Sequence, residues 1–486
     1  MKCKTKRNDL KKCLWVLLIL FAACFYGCKD DDVSVTPYDP SKPVEVTDFT
    51  PKSGGGKTRM IIYGSNFGTD TSIASVKIGG KDAPVINVKG NCLYCMVPTK
   101  CYEGTLEVTI GNETIIASEK FTYERQMVVS TLYGDTREND GDCDVADEYF
   151  DESFGKAHGV KEPTWFSFDP KNYPNILYLA QDNGKPLRIL DLKEQKISTG
   201  LATGTAGTGR FRTIDWTQSG DTMIIANDGG SGGSDDQTVT SSIFVTRAND
   251  FKNPQVLALG KQCNGSAVHP KNFELYYNSY TKGDLYRYDF NKWGVNQSME
   301  HREFLCTIQD NSWEFNIVMH PSGDYAYIVV INQHYIMRMN YNWDTKKFGT
   351  PYLVCGAVGS SGWEDKVGTN ARLSSPYQGV FVKNEEYAKE GKEDQYDFYF
   401  CDSGNQAVRI LTPDGLVTTF AGRGSLGVNS DAHGYIDGAL RDEARFHNPR
   451  ALAYDSINNV FYVGDMDNHR IRKIALEDVD EVEENN

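Results

Sequence analysis

The chain has 486 residues, 40% of them hydrophobic and 24% charged, enough for two or three domains with cores of their own. Its 51 Lys+Arg against 66 Asp+Glu leave a net charge of −15, which argues against nucleic acid or an anionic lipid face as the partner. Twelve cysteines, four of them within the first 28 residues, are too scattered for a dense disulfide scaffold. The N-terminus carries Lys2, Lys4, Lys6, Arg7, Lys11 and Lys12, followed by an uncharged apolar run over 14–26. That is signal-peptide length, about half of what a membrane-spanning helix needs.

The run ends in "GCKDDD". Gly27-Cys28 resembles a lipobox, in which the cysteine thiol is acylated and becomes the new N-terminus after residues 1–27 are removed; Ala22-Ala23-Cys24 is a rival cleavage site. Lys29 and Asp30 to Asp32 resemble the surface-export signal of Bacteroidota-type lipoproteins. The resemblance implies a lipid anchor at Cys28 and an outer-membrane protein facing outward. Residues 28–43 are polar, with prolines at 37, 40 and 43, and suit an extended tether.

From 44 to 124 short alternating strands are separated by glycine-rich turns. A P-x-x-G-G turn at 51–55, a G-x-N-F-G turn at 64–68 and a closing F-x-Y at 121–123 resemble the IPT/TIG immunoglobulin-like domain. Sandwiches of this kind most often serve as spacers. Cys92, Cys95 and Cys101 leave a disulfide or a metal open, although no second C-x-x-C and no histidine lies near; Cys95 reads as a small core residue.

After Gln126 the sequence repeats. "HNPRALAYDSINNVFYVGDMDNHRIRKIAL" from 447 to 476 and "SSPYQGVFV…YDFYFCDSGNQAVRILTPDG" from 374 to 415 share an order: a proline, an apolar strand, a turn, a strand ending in aspartate, a D-x-x-N turn and a third strand. These resemble NHL repeats, and four more worn copies precede them. The corresponding first-strand positions are Phe168, Trp216, Val268, Met319, Phe381 and Tyr454, spaced by 48 to 73 residues. The fold expected is therefore all-β, an N-terminal immunoglobulin-like (IPT/TIG) sandwich followed by a six-bladed NHL-type β-propeller over 126–478. The last repeat lacks a fourth strand, and "VVSTLYG" at 128–134 matches the fourth strands "VTTFAGRG" and "YLVCGAVG", so it is expected to close the ring as the outer strand of the last blade. Residues 479–486 form an acidic tail.

A propeller implies a site at the channel mouth, where the residues entering each first strand converge: Thr164 and Trp165, Arg212 and Thr213, Asn264 and Gly265, Phe315 and Asn316, Tyr377 and Gln378, Arg450 and Ala451. Trp165, Arg212, Asn264, Phe315, Asn316, Tyr377, Gln378, Arg450 and Trp363 are the candidate ligand-binding residues. Aromatic faces cover the C–H side of a sugar while amides and guanidinium groups fork onto hydroxyls or a carboxylate. Arg212 and Arg450 favour an acidic glycan. Long loops at 229–241, 356–374 and 422–448 rise on the same side, and Trp363 and Tyr435 in them are expected to be exposed aromatics. Asp402, Asn405, Asp465 and Asn468 read as turn residues that bond their own turn backbone.

Asp140, Asp142 and Asp144 have the alternate spacing of a calcium loop, but Val145 stands where the turn wants glycine, and a solvated acidic loop is preferred. His269 and His320 precede prolines at first-strand ends on the opposite face and read as turn residues, whereas His158, His334, His433, His447 and His469 fall in loops on the candidate face. No nucleophile motif and no acid–base carboxylate pair is legible, so no catalytic residue, metal or cofactor is assigned. The layout of anchor, spacer and large terminal domain resembles surface glycan-binding lipoproteins of polysaccharide-utilisation systems. It implies a glycan ligand and an outer-membrane importer complex as partners, with a protein–protein adaptor or a propeller-type glycan lyase or hydrolase as alternatives.

Overall fold

The computed structural model describes residues 36–134, 150–156, 158–182, 184–229, 239–260, 262–279, 283–294, 301–308, 314–424 and 432–478. Cys28, the acidic loop at 139–148, most of the loop at 229–241 and the tail at 479–486 lie outside them. The regular elements of the described residues are almost all strands, and none of the helices is long and apolar enough to cross a membrane. It divides into two compact units, Met1–Gln126 with Glu477–Asn486, and Met127–Leu476.

In the first unit two antiparallel sheets share one core. Glu45–Thr50, Arg59–Gly68 and Val85–Met96 form one; Lys81–Ala83, Ala74–Ile78, Leu106–Ile110 and Glu113–Ile116 form the other. Alternation decides the packing: in Leu106–Ile110 the first, third and fifth residues are buried and the others half-exposed, as a strand with one wet face requires. Phe49, Ile62, Phe67, Val76, Val108 and Phe121 fill the space between the sheets. Cys95 and Cys101 are buried among them and Cys92 is half-buried. All three are free thiols, so the disulfide that their spacing allowed is not formed, and burial pushes the Cys95 thiol up to about 12. Glu477 returns to this unit, where its carboxylate accepts the Tyr123 hydroxyl at 2.8 Å and the Gln126 amide at 3.0 Å.

Among the described residues the second unit holds six antiparallel sheets of four or five strands. Their first strands are Pro163–Phe168, Phe211–Trp216, Ser266–Val268, Phe315–Met319, Pro376–Lys383 and Pro449–Asp455, and these define sheets one to six. The first strands adjoin one another in chain order, and that of the sixth sheet adjoins that of the first. Six hydrophobic clusters fill the spaces between consecutive sheets. One of them joins Phe166, Leu177 and Leu190 of sheet one to Ala451, Tyr462 and Ile471 of sheet six. Each sheet is thus buried on both faces, which is why its inner strands read as near-continuous apolar runs. Sheet six takes its outer strand from the far end of the chain: Met127–Tyr133 pairs antiparallel with Arg470–Leu476, Val129 opposite Ile474.

Candidate functional site

Antiparallel pairing brings the start of each first strand beside the end of the second, so both contribute side chains to one end of the sheets. Four first strands are bulged there: the register slips between Pro163 and Trp165, Phe211 and Ile214, Pro376 and Gly379, and Pro449 and Ala451. A bulge turns a side chain out of the pleat. Arg212, Tyr377 and Arg450 sit in three of these slips.

They line a cavity of about 290 Å³ with Asp182, Arg210, Asp228, Glu314, Asn332, Ser375 and Ser403. Arg212 is at its centre, 6% exposed. Its Nη2 and Nε donate to Asp228 Oδ2 at 2.6 and 3.0 Å, and its Nη1 donates to Asp182 Oδ2 at 3.1 Å and to the Tyr377 hydroxyl at 3.3 Å. Burial works against this charge, but Tyr377 and the carboxylates of Asp228, Asp182 and Glu314 outweigh it and hold the guanidinium above its ordinary pKa. Arg210 Nε donates to the other Asp182 oxygen at 2.6 Å. Glu314 is reached by Asn332 Nδ2 at 3.1 Å and stands 3.7 Å from Arg212. Arg450 makes no ion pair among the described residues; its guanidinium lies 5.2 Å over the Tyr377 ring, and burial raises that phenol. Three guanidiniums and three carboxylates therefore face a small polar space, an arrangement that offers paired donors and acceptors to a polyhydroxylated ligand.

The remaining expected ligand residues are placed differently. Trp165, Phe315 and Tyr377 are 6, 1 and 5% exposed and belong to the cores between sheets one and two, three and four, and five and six. Their ring faces are covered by neighbouring sheets, so the premise that they turn toward solvent is corrected; of the three, only Tyr377 reaches the cavity, through its hydroxyl. Gln378 is a backbone clamp: its Oε1 accepts the amides of Phe166 and Leu452 at 2.8 and 2.9 Å and its Nε2 donates to the Phe166 carbonyl at 2.7 Å. Asn264 and Asn316 are buried, and among the described residues each leaves its Nδ2 without a partner. Trp363 is half-buried rather than exposed: its Nε1 donates to Thr419 at 2.8 Å, and Arg423 and Arg441 lie over its ring at 4.0 and 5.8 Å. Tyr435 is likewise half-buried under Arg470.

The histidines scatter. His158 meets Glu152 at 3.0 Å, His334 accepts the Ser375 amide, and His433 stacks on His447 at 4.6 Å. No group of three His, Cys, Asp or Glu that could hold a metal ion occurs among the described residues. His269 and His320 do organise turns, their Nδ1 atoms accepting the amides of Asn272 and Ser322. A larger cavity of about 490 Å³ lies at that opposite end, lined by His320, Tyr325, Arg338, Lys392 and Asp394. The smaller cavity is the stronger candidate because it gathers strand ends from five sheets around buried charges.

Sequence reasoning missed Asp182, Asp228 and Glu314. A signal existed: Asp182 and Asp228 are the acids that end "YLAQD" and "IIAND", the same place in two successive repeats.

Residues 43–124 match the IPT/TIG domain family. No curated protein matches the chain. Among solved structures, an auxiliary nutrient binding protein of Bacteroides thetaiotaomicron is 45% identical, with a TM-score of 0.79, over 91% of this chain and 100% of its own. This chain belongs to its family. The family includes an auxiliary nutrient binding protein of Bacteroides ovatus, 38% identical over 91% of this chain and 100% of that one, TM-score 0.65. It also includes a second B. thetaiotaomicron protein, provisionally named a phosphatase, 40% identical over 91% and 99% of the two chains, TM-score 0.82.

Proposed function

We propose that this chain is a lipid-anchored nutrient-binding protein of the outer membrane, facing outward, whose second unit is a six-bladed NHL-type propeller that holds a saccharide in the cavity around Arg212, Tyr377 and Arg450. The observation that carries the reading is full-length similarity to an auxiliary nutrient binding protein, joined to a polar cavity at the ends of the first strands. The leader ending in Cys28 and its aspartates supports the location, the TIG domain supports a spacer, and the balanced charges of the cavity support a polyhydroxylated ligand rather than a bare ion. An importer complex is the natural recipient of a ligand held in this way.

The test is native affinity electrophoresis of the chain from Thr36 onward through gels containing neutral and acidic polysaccharides. Retardation by one polymer, reduced at least tenfold in affinity by Arg450→Ala with the melting temperature unchanged, supports the reading. Absence of retardation by every polymer, with hydrolysis of p-nitrophenyl phosphate or assembly with an importer instead, would overturn it in favour of an enzyme or an adaptor.

A further inference from the structure

Although the chain is strongly acidic overall, it gathers unpaired positive charge at one point between the fifth and sixth sheets. Arg423 follows the outer strand Val417–Gly422 and its Nη1 donates to the Asn405 carbonyl at 3.0 Å, two residues from Ser403 of the cavity. Its Nε is buried and has no acceptor, and neither does Nη1 of Arg441 or Nε of Arg445. None of the three forms an ion pair among the described residues. Of the acids that act on Arg441, Asp365 is engaged elsewhere, taking Arg409 at 2.8 Å and the Thr419 amide at 2.9 Å, and Asp442 forms no ion pair with it among the described residues.

Removing a guanidinium from water without an acceptor is costly, and two such groups sharing one ring also repel. Both arginines are accordingly held below their ordinary pKa, Arg423 by burial and then by Arg441, Arg441 by burial against the pull of Asp365 and Asp442. The arrangement is nonetheless fixed. Trp363 is tied to Thr419, and the preceding residue is pinned by Asn405 Nδ2 on the Gly362 carbonyl at 2.7 Å and by the Gly362 amide on Leu373 at 3.0 Å. An indole held in place beside two guanidinium groups, each with a donor that lacks an acceptor, is prepared for an anion before one arrives.

We infer that Arg423 and Arg441, both lying over the Trp363 ring, form a binding site for the anionic substituent, carboxylate or sulfate, of a saccharide. The ligand class rests on the proposed saccharide-binding function; capture of the anion itself does not.

The experiment titrates the chain from Thr36 onward, at constant ionic strength set with sodium chloride, with galacturonate, galactose and sodium sulfate, following tryptophan fluorescence and heat. Galacturonate and sulfate are expected to bind and alter the fluorescence while galactose does neither. Arg441→Gln and Arg423→Gln are each expected to weaken binding at least tenfold without lowering the melting temperature, since neither removes an ion pair. Trp363→Phe should abolish the fluorescence change and leave the heat. Equal response to galactose and galacturonate, or unchanged affinity in both glutamine variants, overturns the site. Binding of sulfate with no retardation by any polysaccharide upholds the anion site and removes the saccharide reading; retardation by a neutral polymer with no anion response does the reverse.

Discussion

Arg409 and Asp402 form an ion pair sealed from water, with Nη1 2.8 Å from Oδ2 and no exposed surface on either side chain. Sheet six repeats it with Arg472 and Asp465 at the same distance. In both, the second aspartate oxygen accepts the amide that leads into the first strand, Ser374 or His447 at 2.7 Å, and the asparagine of the D-x-x-N turn donates to the shared oxygen at 2.7 Å. The aspartates therefore tie the loop before the sheet to its third strand; within their own turn they meet the asparagine side chain rather than the turn backbone that the motif alone implies. Breaking such a pair leaves a buried charge uncompensated. Asp402→Ala is expected to cost about 3–5 kcal/mol, whereas Asp365→Ala, which removes the partly exposed partner of the same arginine, is expected to cost no more than about 1 kcal/mol. Urea midpoints measure both, and equal effects would refute the account.

Gln378 separates a structural role from a ligand role. Gln378→Met keeps the volume but strands two buried amides, those of Phe166 and Leu452, and one carbonyl. The expected loss is about 2–4 kcal/mol of stability, with polysaccharide retention by the folded protein unchanged. A ligand-contacting glutamine would give the opposite pattern: lost retention at unchanged stability.

Asp215 gives the chain a pH signature. Its side chain keeps partial contact with solvent, yet desolvation pushes its carboxyl up to about 8 despite the bonds from Ser266 Oγ at 3.0 Å and the Val268 amide. Between its ordinary pKa near 3.8 and about 8 the folded chain holds a proton that the unfolded chain has released. Stability from this group is therefore undiminished below that window and falls as pH rises through it. In Asp215→Asn the fall should vanish, so the variant and the native chain are expected to diverge in melting temperature from pH 5 to 8, the variant being the more stable at the alkaline end. Parallel curves would show that Asp215 titrates normally.

What the sequence revealed follows from what each element buries. In the first unit one face of each strand is wet, and alternation is visible; Leu106–Ile110 is an example. In the second unit the order of strands is legible because the turn signals and terminal aspartates recur with each repeat. Side-chain direction at the strand starts is not. Pro163–Phe168 has four buried residues in succession, so nothing in "PTWFSF" distinguishes a ring that lies between sheets from one that faces the cavity. Arg212 was legible as a site residue but its charge balance was not, since its partners Asp182 and Asp228 come from different sheets. Arg423 and Arg441 lie apart in the chain and meet only at Trp363.

The pairing of Met127–Tyr133 with Arg470–Leu476 makes the start of the second unit part of its last sheet. Val129 is 1% exposed and packs in the cluster that holds Leu452, Val463 and Ile474. Without this strand, the amides and carbonyls of Arg470–Leu476 would be left as an open edge beside exposed apolar surface, which pairs readily with another chain. A chain beginning at Met127 is expected to run as a monomer on size exclusion, whereas one beginning at Phe150 aggregates. Within the full chain, Val129→Ala should cost about 2 kcal/mol and Ser130→Ala less than about 0.5 kcal/mol, both read from the unfolding transition of the second unit. A soluble, cooperatively folded chain from Phe150 would mean that sheet six is stable with three strands and that Met127–Tyr133 is dispensable to it.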